Sequence, residues 1–172
     1  MLLRKEMDGI TGEKAQYLVR PFNDNTIRFV LNYSVQVDAQ VLKEAVRAVV
    51  YGVDVLHGSF HVEKGRCLWR IYEEIEESAY FRQVMTKEDA WQMGYELALE
   101  PVKPEDPVKL RCVLVQDGRK SAVVVLISHL CADGGDGKYL LGKIVEGYNM
   151  ILREGSAEKL TLKNGSRDPA QV

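Results

Sequence analysis

The feature that most constrains the fold is a continuously apolar run, AVVVLI at residues 122–127, which stops abruptly at Ser128 and His129. A strand covered on one face alternates apolar and polar residues, whereas an uninterrupted apolar run is typical of a strand covered on both faces. The run therefore predicts a central strand over residues 122–128. Such a strand would hold the histidine that follows it rigidly at the edge of a sheet.

The rest of the chain alternates predicted strands and helices. Its periodicity predicts further strands over residues 27–37, 57–62, 67–75 and 108–115. Helices are predicted after the caps Asp38 and Thr86 and over residues 136–153, and the second of them has the apolar stripe Trp91, Tyr95, Ala98 and Leu99. Residues 1–26 predict only a short helix near residues 15–19. We expect an α/β two-layer sandwich, a mixed sheet with helices on one face.

Length and composition indicate one ordinary globular domain. The 172 residues are 46% hydrophobic and 28% charged, enough for a sizeable core. The net charge of −2 gives no electrostatic support for binding nucleic acid, and no apolar run approaches the roughly 18 residues of a membrane helix. Cys67, Cys112 and Cys131 lack a disulfide-framework spacing, so we expect reduced thiols and a cytoplasmic protein.

His129 is the first candidate functional residue. A neutral imidazole held at a strand end can serve as a general base near neutral pH. Asp133 and Gly134 lie one short turn later, and glycine allows a positive φ and the close approach of a ligand. The alternative is that His129 is a polar residue ending a strand and that the glycines only form a tight turn. The residues alone leave both interpretations open.

Two other kinds of site have weaker support. His129, Cys131 and Asp133 alternate, and His57 and His61 are four residues apart, but no Cys-x-x-Cys or His-Glu-x-x-His pattern accompanies them. We therefore expect no metal site. The GGDGK segment at a helix start could bind an anion through free backbone amides. It lacks the P-loop spacing and the Rossmann fingerprint, so the pattern is weak evidence for a phosphate site.

The segment SHLCADG, residues 128–134, resembles the His-His-x-x-x-Asp-Gly signature of condensation domains in nonribosomal peptide synthetases and of related acyltransferases. Flanking segments resemble that family in the same order: EKAQYLV, VDVLHGSFHVEKGRCLWRI and YELALEPVKPEDPVKLRCVLV before the signature, and YLLGKIVEGYNMIL after it. The resemblance covers residues 10–155. It implies the N-terminal half of a chloramphenicol-acetyltransferase-like fold.

The resemblance also implies roles for three residues. His129 matches the family's catalytic histidine, which deprotonates a hydroxyl or amine acceptor as it attacks a thioester on coenzyme A or a phosphopantetheine arm. Asp133 matches the aspartate that pairs with an arginine to fix the loop, and Gly134 permits the turn. The chemistry is general-base catalysis with no covalent enzyme intermediate and no permanently bound cofactor.

Two residues depart from the family pattern. Ser128 replaces the first histidine of the signature, and His57 stands where condensation domains have the arginine of their Leu-Arg-Thr segment. Because an unpaired buried carboxylate is costly, Asp133 needs another partner. We expect His57 in that role, with Arg111 as the alternative. A His57 paired in this way would accept a proton more readily than a free histidine.

Family members contain two such halves, with the active site in a tunnel between them. We therefore expect residues 1–155 to form an N-terminal subdomain and residues 156–172 to be a loose polar tail or the start of a linker to a second half. The expected function is an acyltransferase that is incomplete in this chain, with self-association or a missing C-terminal half supplying the other wall. The alternatives are a non-catalytic half-domain that binds a carrier protein or a partner subunit, and an α/β domain without acyl chemistry.

Overall fold

The computed structural model describes residues 1–22 and 24–163. The strands are β1 (Leu2–Asp8), β2 (Thr26–Tyr33), β3 (Gly58–Glu63), β4 (Arg66–Glu74), β5 (Phe81–Met85), β6 (Leu110–Gln116) and β7 (Ser121–Ser128). The helices are α1 (Thr11–Val19), α2 (Ala39–Gly52), α3 (Glu77–Tyr80), α4 (Ala90–Leu97) and α5 (Gly134–Glu154), and a 3-10 turn covers Asp54–His57. The expected α/β class is confirmed.

The strands form two sheets rather than the single sheet expected. The larger sheet has the order β2-β7-β6-β5, in which β5 and β6 are parallel and the other neighbours are antiparallel. The smaller sheet has the order β1-β4-β3 and is antiparallel throughout. The larger sheet is therefore the mixed sheet of the prediction. The smaller sheet packs near α1 and the turn that follows β7.

The central strand β7 is buried along its whole length, as its apolar run predicts. Val123, Val125 and Ile127 face the layer formed by α2 and α5. The alternate residues Val124 and Leu126 face α4 on the other side. The expectation of helices on one face is therefore wrong: β7 is apolar throughout because a helical layer covers each face.

Helix α4 differs from its predicted start and orientation. Asp89, not Thr86, is its N-cap, and the Asp89 carboxylate accepts from the backbone N–H groups of the first turn. The predicted stripe is confirmed for Trp91 and Ala98, which pack against the sheet, but wrong for Tyr95 and Leu99, which are exposed. Gly94 faces the sheet instead, where an added Cβ would lie 2.7 Å from the methyl group of Ala122. The helix lies so close to β7 that its fully buried positions are the small residues Ala90 and Gly94, while Trp91, Met93 and Leu97 pack against the same cluster and are only partly buried.

The polar N-terminal segment contains two elements rather than the single short helix expected. Strand β1 is an edge strand with mostly exposed side chains, so its sequence carries no apolar run. Helix α1 begins at Thr11, and Glu13 in its first turn accepts from the backbone N–H of Ile10 (2.8 Å). Strand β5 was also not predicted. It is short and half-exposed, and it forms by parallel pairing with β6, which local sequence does not encode.

Residues 156–163 were expected to be loose, but they pack against the helices. Leu160 contacts Gly147 of α5, and Leu162 contacts Gly52 at the end of α2. The backbone N–H of Lys163 donates to the Tyr139 hydroxyl (2.8 Å) near the start of α5. The segment thus runs back along α5 toward the N-terminus of that helix. The rest of the predicted tail, residues 164–172, lies outside the described residues.

The contact between Leu162 and Gly52 predicts a non-additive pair of substitutions. A Cβ added at Gly52 would lie 2.0 Å from Leu162 Cδ1, so Gly52→Ala should lower the free energy of unfolding by about 1 kcal/mol. With Leu162→Ala already present, Gly52→Ala should instead raise it by about 0.5–1 kcal/mol, because alanine is favoured over glycine in a helix. Urea unfolding of the four proteins measures the coupling. Additive effects would show that Leu162 does not pack there.

Candidate active site

The end of β7 fixes the backbone of His129. Its N–H donates to the carbonyl of Asn25 (2.7 Å), which adds one rung to the β2–β7 ladder. The chain then turns tightly, because the N–H of Cys131 donates to the carbonyl of Ser128 (3.2 Å). Leu130 is buried against the small sheet. Ser128 on one side of His129 thus belongs to the larger sheet, and Leu130 on the other side packs against the smaller sheet. His129 itself is only half-buried.

His129 lines a cleft of about 490 Å³. The walls come from α1, the 3-10 turn, the turn after β7 and the first turns of α5. Asp133 and Asp54 also line it, so the cleft brings His129 and Asp133 together but not His57 or Arg111. Within the described part of the chain, the ring of His129 forms no hydrogen bond. Its nitrogens are therefore available to a molecule in the cleft.

Asp133 is the N-cap of α5. Its Oδ1 accepts from the backbone N–H groups of Gly135 (2.7 Å) and Asp136 (2.9 Å). Asp136 completes a capping box by accepting from the N–H of Asp133 (3.1 Å). Hydrogen bonds from the amides of Asp136 and Gly135 lower the pKa of the Asp133 carboxyl, with a further contribution from His129. Asp133 is thus an ionised group close to His129.

The expected partners of Asp133 were wrong. The backbone amides at the start of α5 take the place of a side-chain cation. Arg111 instead forms an ion pair with Asp106 (2.8 Å). His57 is the last residue of the 3-10 turn, and its Nδ1 donates to the carbonyl of Tyr72 (2.6 Å) while its Nε2 lies 3.9 Å from Asp54 Oδ1. A capping aspartate is satisfied by its own helix, so it needs neither residue.

The expected charging of His57 was also wrong. The ring is 2% exposed, and its Nε2 has no hydrogen-bond partner among the described residues. Burial lowers the pKa of His57, and the hydrogen bond to the Tyr72 carbonyl and the charge of Asp54 only partly oppose that effect. His57 is therefore held neutral behind the cleft wall and is less basic than a free histidine.

The glycines of the signature do not form an anion cradle. Gly134 and Gly135 lie in the first turn of α5, and neither has a positive φ. The amides of Gly135 and Asp136, which an anion would need, are already bound to the Asp133 carboxylate. Two carboxylates at this helix start would also repel an anion. The weak phosphate interpretation of GGDGK is therefore wrong.

The candidate metal residues do not form a set of ligands. His61 Nε2 is hydrogen-bonded to Ser59 Oγ (2.7 Å). Burial raises the pKa of the Cys131 thiol to about 12, so it stays protonated. Over residues 1–22 and 24–163, no three His, Cys, Asp or Glu side chains are grouped as metal ligands would be.

A second cleft, of about 700 Å³, lies on the other side of the turn after β7. Gln16 and Leu130 line both clefts, whereas Asn25, Ser128 and the loop at residues 101–105 line only the second. Sequence reasoning did not single out Gln16 or Asn25 as site residues. Gln16 falls in the resembling EKAQYLV segment, but no local pattern marks Asn25, whose carbonyl meets His129 across the sheet.

Lys109 was also missed. It is fully buried at the start of β6, and its Nζ donates to the carbonyls of Lys103 (3.2 Å), Asp106 (2.5 Å) and Val108 (3.3 Å). Burial lowers its pKa to about 7. The backbone N–H of Ser128 donates to the carbonyl of Lys109 (2.9 Å). Lys109 thus ties the loop of the second cleft to the strand end that carries His129.

Comparison with known proteins identifies the fold. No family model and no curated protein matches the sequence. The starter condensation domain of rhizomide synthetase RzmA superposes with a TM-score of 0.71 at 12% identity, covering 88% of this chain and 39% of that one. The first condensation domain of the calcium-dependent antibiotic synthetase gives 0.70 at 17% identity, covering 94% and 42%. Polyketide synthase associated protein 5 from Mycobacterium tuberculosis gives 0.68 at 14% identity, covering 95% and 37%.

The chain therefore has a condensation-domain-like fold. It spans about two-fifths of the length of each of these structures. Among the described residues, no helix is both long and apolar enough to cross a membrane.

The lowered pKa of His57 predicts a pH-dependent stability. In the unfolded chain His57 takes up a proton near pH 6.5, while in the folded protein it does so only at lower pH. The free energy of unfolding should therefore fall as the pH drops from about 7 to about 5.5. His57→Asn keeps a donor for the Tyr72 carbonyl and should flatten that slope. Urea unfolding at both pH values tests this, and equal slopes in the two proteins would contradict it.

Proposed function

We propose that this chain contributes the histidine-bearing wall of an acyltransferase site. The acyl group would pass from a thioester on coenzyme A or a phosphopantetheine arm to a hydroxyl or amine. The observation that carries the proposal is His129, held at a buried strand end with its ring unbonded among the described residues, in a cleft of a condensation-domain-like fold. No cofactor needs to remain bound, because the thioester is itself the substrate.

In the proposed mechanism, His129 accepts the proton of the acceptor as the acceptor attacks the thioester carbonyl. The ionised carboxylate of Asp133 lines the same cleft, so a negative charge lies in the site where the proton is transferred. The proton then passes to the thiol that leaves. The main-chain hydrogen bonds on both sides of His129 fix its backbone before substrate binds, which lowers the entropic part of the barrier.

The site needs a second wall to exclude water. The chain spans about two-fifths of the structures it resembles, and its cleft is open to solvent. We propose that a second copy of the chain or a further half of the protein supplies that wall. The same observation favours an alternative function, in which the chain binds a carrier protein or a partner subunit without catalysis. A cleft open to water would then be a docking surface.

Replacing His129 separates these two functions. In the full-length protein, His129→Ala should reduce acyl transfer from acyl-coenzyme A to a panel of alcohols and amines by about 100-fold or more, because a general base is lost. His61→Ala is the matched control, since His61 lines neither cleft. Full activity in His129→Ala would contradict catalysis by His129. If the unmutated protein binds a carrier protein but transfers no acyl group, the alternative function is supported.

The proposed second wall predicts self-association of the isolated chain. Phe22 lines the second cleft and is 90% exposed, and Leu18 and Val19 at the end of α1 are also exposed. Sedimentation should show a dimer or a larger assembly, and Phe22→Ser should shift it toward the monomer because less apolar area would be buried. A monomer at all concentrations would rule out a second copy as the wall.

A further inference from the structure

Gln16 of α1 stands where the two clefts meet. It lines both of them, together with Leu130, and it contacts Asn25, whose carbonyl accepts from the backbone N–H of His129. His129 lines the first cleft, so a thioester that reached it from the second cleft would pass beside this side chain. The side chain is half-buried, so it is both held in place and accessible.

The orientation of the Gln16 carboxamide follows from its contacts. The Asn25 side chain lies 3.2 Å from the main-chain carbonyl of Gln16 and 2.8 Å from the side-chain oxygen of Gln16. A main-chain carbonyl can only accept, so Asn25 must present its NH2 group there. That same NH2 group then requires an acceptor at the side chain of Gln16, which fixes Oε1 toward Asn25.

The Nε2 group of Gln16 is consequently left to donate elsewhere. It donates to no atom of residues 1–22 and 24–163, although both of its hydrogens are available. Its position between the clefts suits a donor to an oxygen atom of a substrate. Held in advance by Asn25, it loses little freedom when it forms that bond.

We propose that Gln16 Nε2 donates to the carbonyl oxygen of the thioester and to the oxyanion that develops on it. This inference rests on the proposed acyltransferase function and adds one residue to its site. When the acceptor attacks, the carbonyl π electrons move to oxygen and His129 takes the acceptor proton. The C–O double bond then re-forms, the C–S bond breaks, and the thiolate takes the proton from His129. Gln16 stabilises the negative charge between those two events.

The test uses [1-13C]acetyl-coenzyme A with the full chain, followed by 13C NMR. A hydrogen bond polarises a carbonyl, so the carbonyl resonance should move downfield on binding to the unmutated protein. Gln16→Glu should abolish that movement, because glutamate still accepts from Asn25 but has no donor for the substrate. A merely structural role for Gln16 would leave Gln16→Glu like the unmutated protein. Where transfer is measurable, it should fall about 100-fold.

Two further variants control for folding and for orientation. Asn25→Asp offers an acceptor in place of a donor, so Gln16 should turn its NH2 group toward the new carboxylate and again lose the downfield shift. Gln92→Ala removes an exposed carboxamide of α4 that bonds to Glu96 and should change nothing. An unaltered downfield shift in Gln16→Glu overturns this inference alone. Failure of the unmutated full chain to bind the thioester overturns both this inference and the proposed function.

Discussion

Strand β7 is closed to water on both faces, and the positions of the other elements follow from that burial. Its odd-numbered residues need the layer of α2 and α5, and its even-numbered residues need α4. Every backbone polar group of a strand in such a place must be paired within the protein. The neighbours β2 and β6 supply those partners along its length. Only at its end does the strand reach the clefts: Ser128 lines the second cleft, and His129, one residue later, lines the first.

The candidate site is held by hydrogen bonds that each use at least one main-chain group. Asn25 accepts from His129, Asp133 accepts from the start of α5, and Lys109 donates to three carbonyls of the neighbouring loop and strand start. Bonds of this kind are made within the chain's own elements, so they do not depend on a substrate. In the described part of the chain they leave the ring of His129 and the NH2 group of Gln16 without an internal partner. The backbone of the site is thus fixed by hydrogen bonds, while these two side-chain groups can bind a substrate.

The likeness to condensation domains concerns the fold and not the individual residues. The backbone follows a similar path to these structures, although only 12–17% of the aligned residues are identical. The arginine expected as partner for the aspartate is absent, and the helix N-terminus satisfies that carboxylate instead. The neutral, buried His57 occupies a place where a cation would be costly.

The sequence by itself determined the central strand, the helices α2 and α5, and the candidacy of His129 and Asp133. These follow from an apolar run, from helical periodicity and from a short motif, all of which are local signals. Only the tertiary structure decided that α4 covers the opposite face of the sheet and that Asp133 caps α5. It also decided that Leu160 and Leu162 pack against glycines and that Asn25 joins Gln16 to His129. Each of these depends on how the elements pack and on which backbone groups meet, and no local pattern encodes which distant backbone a residue will meet.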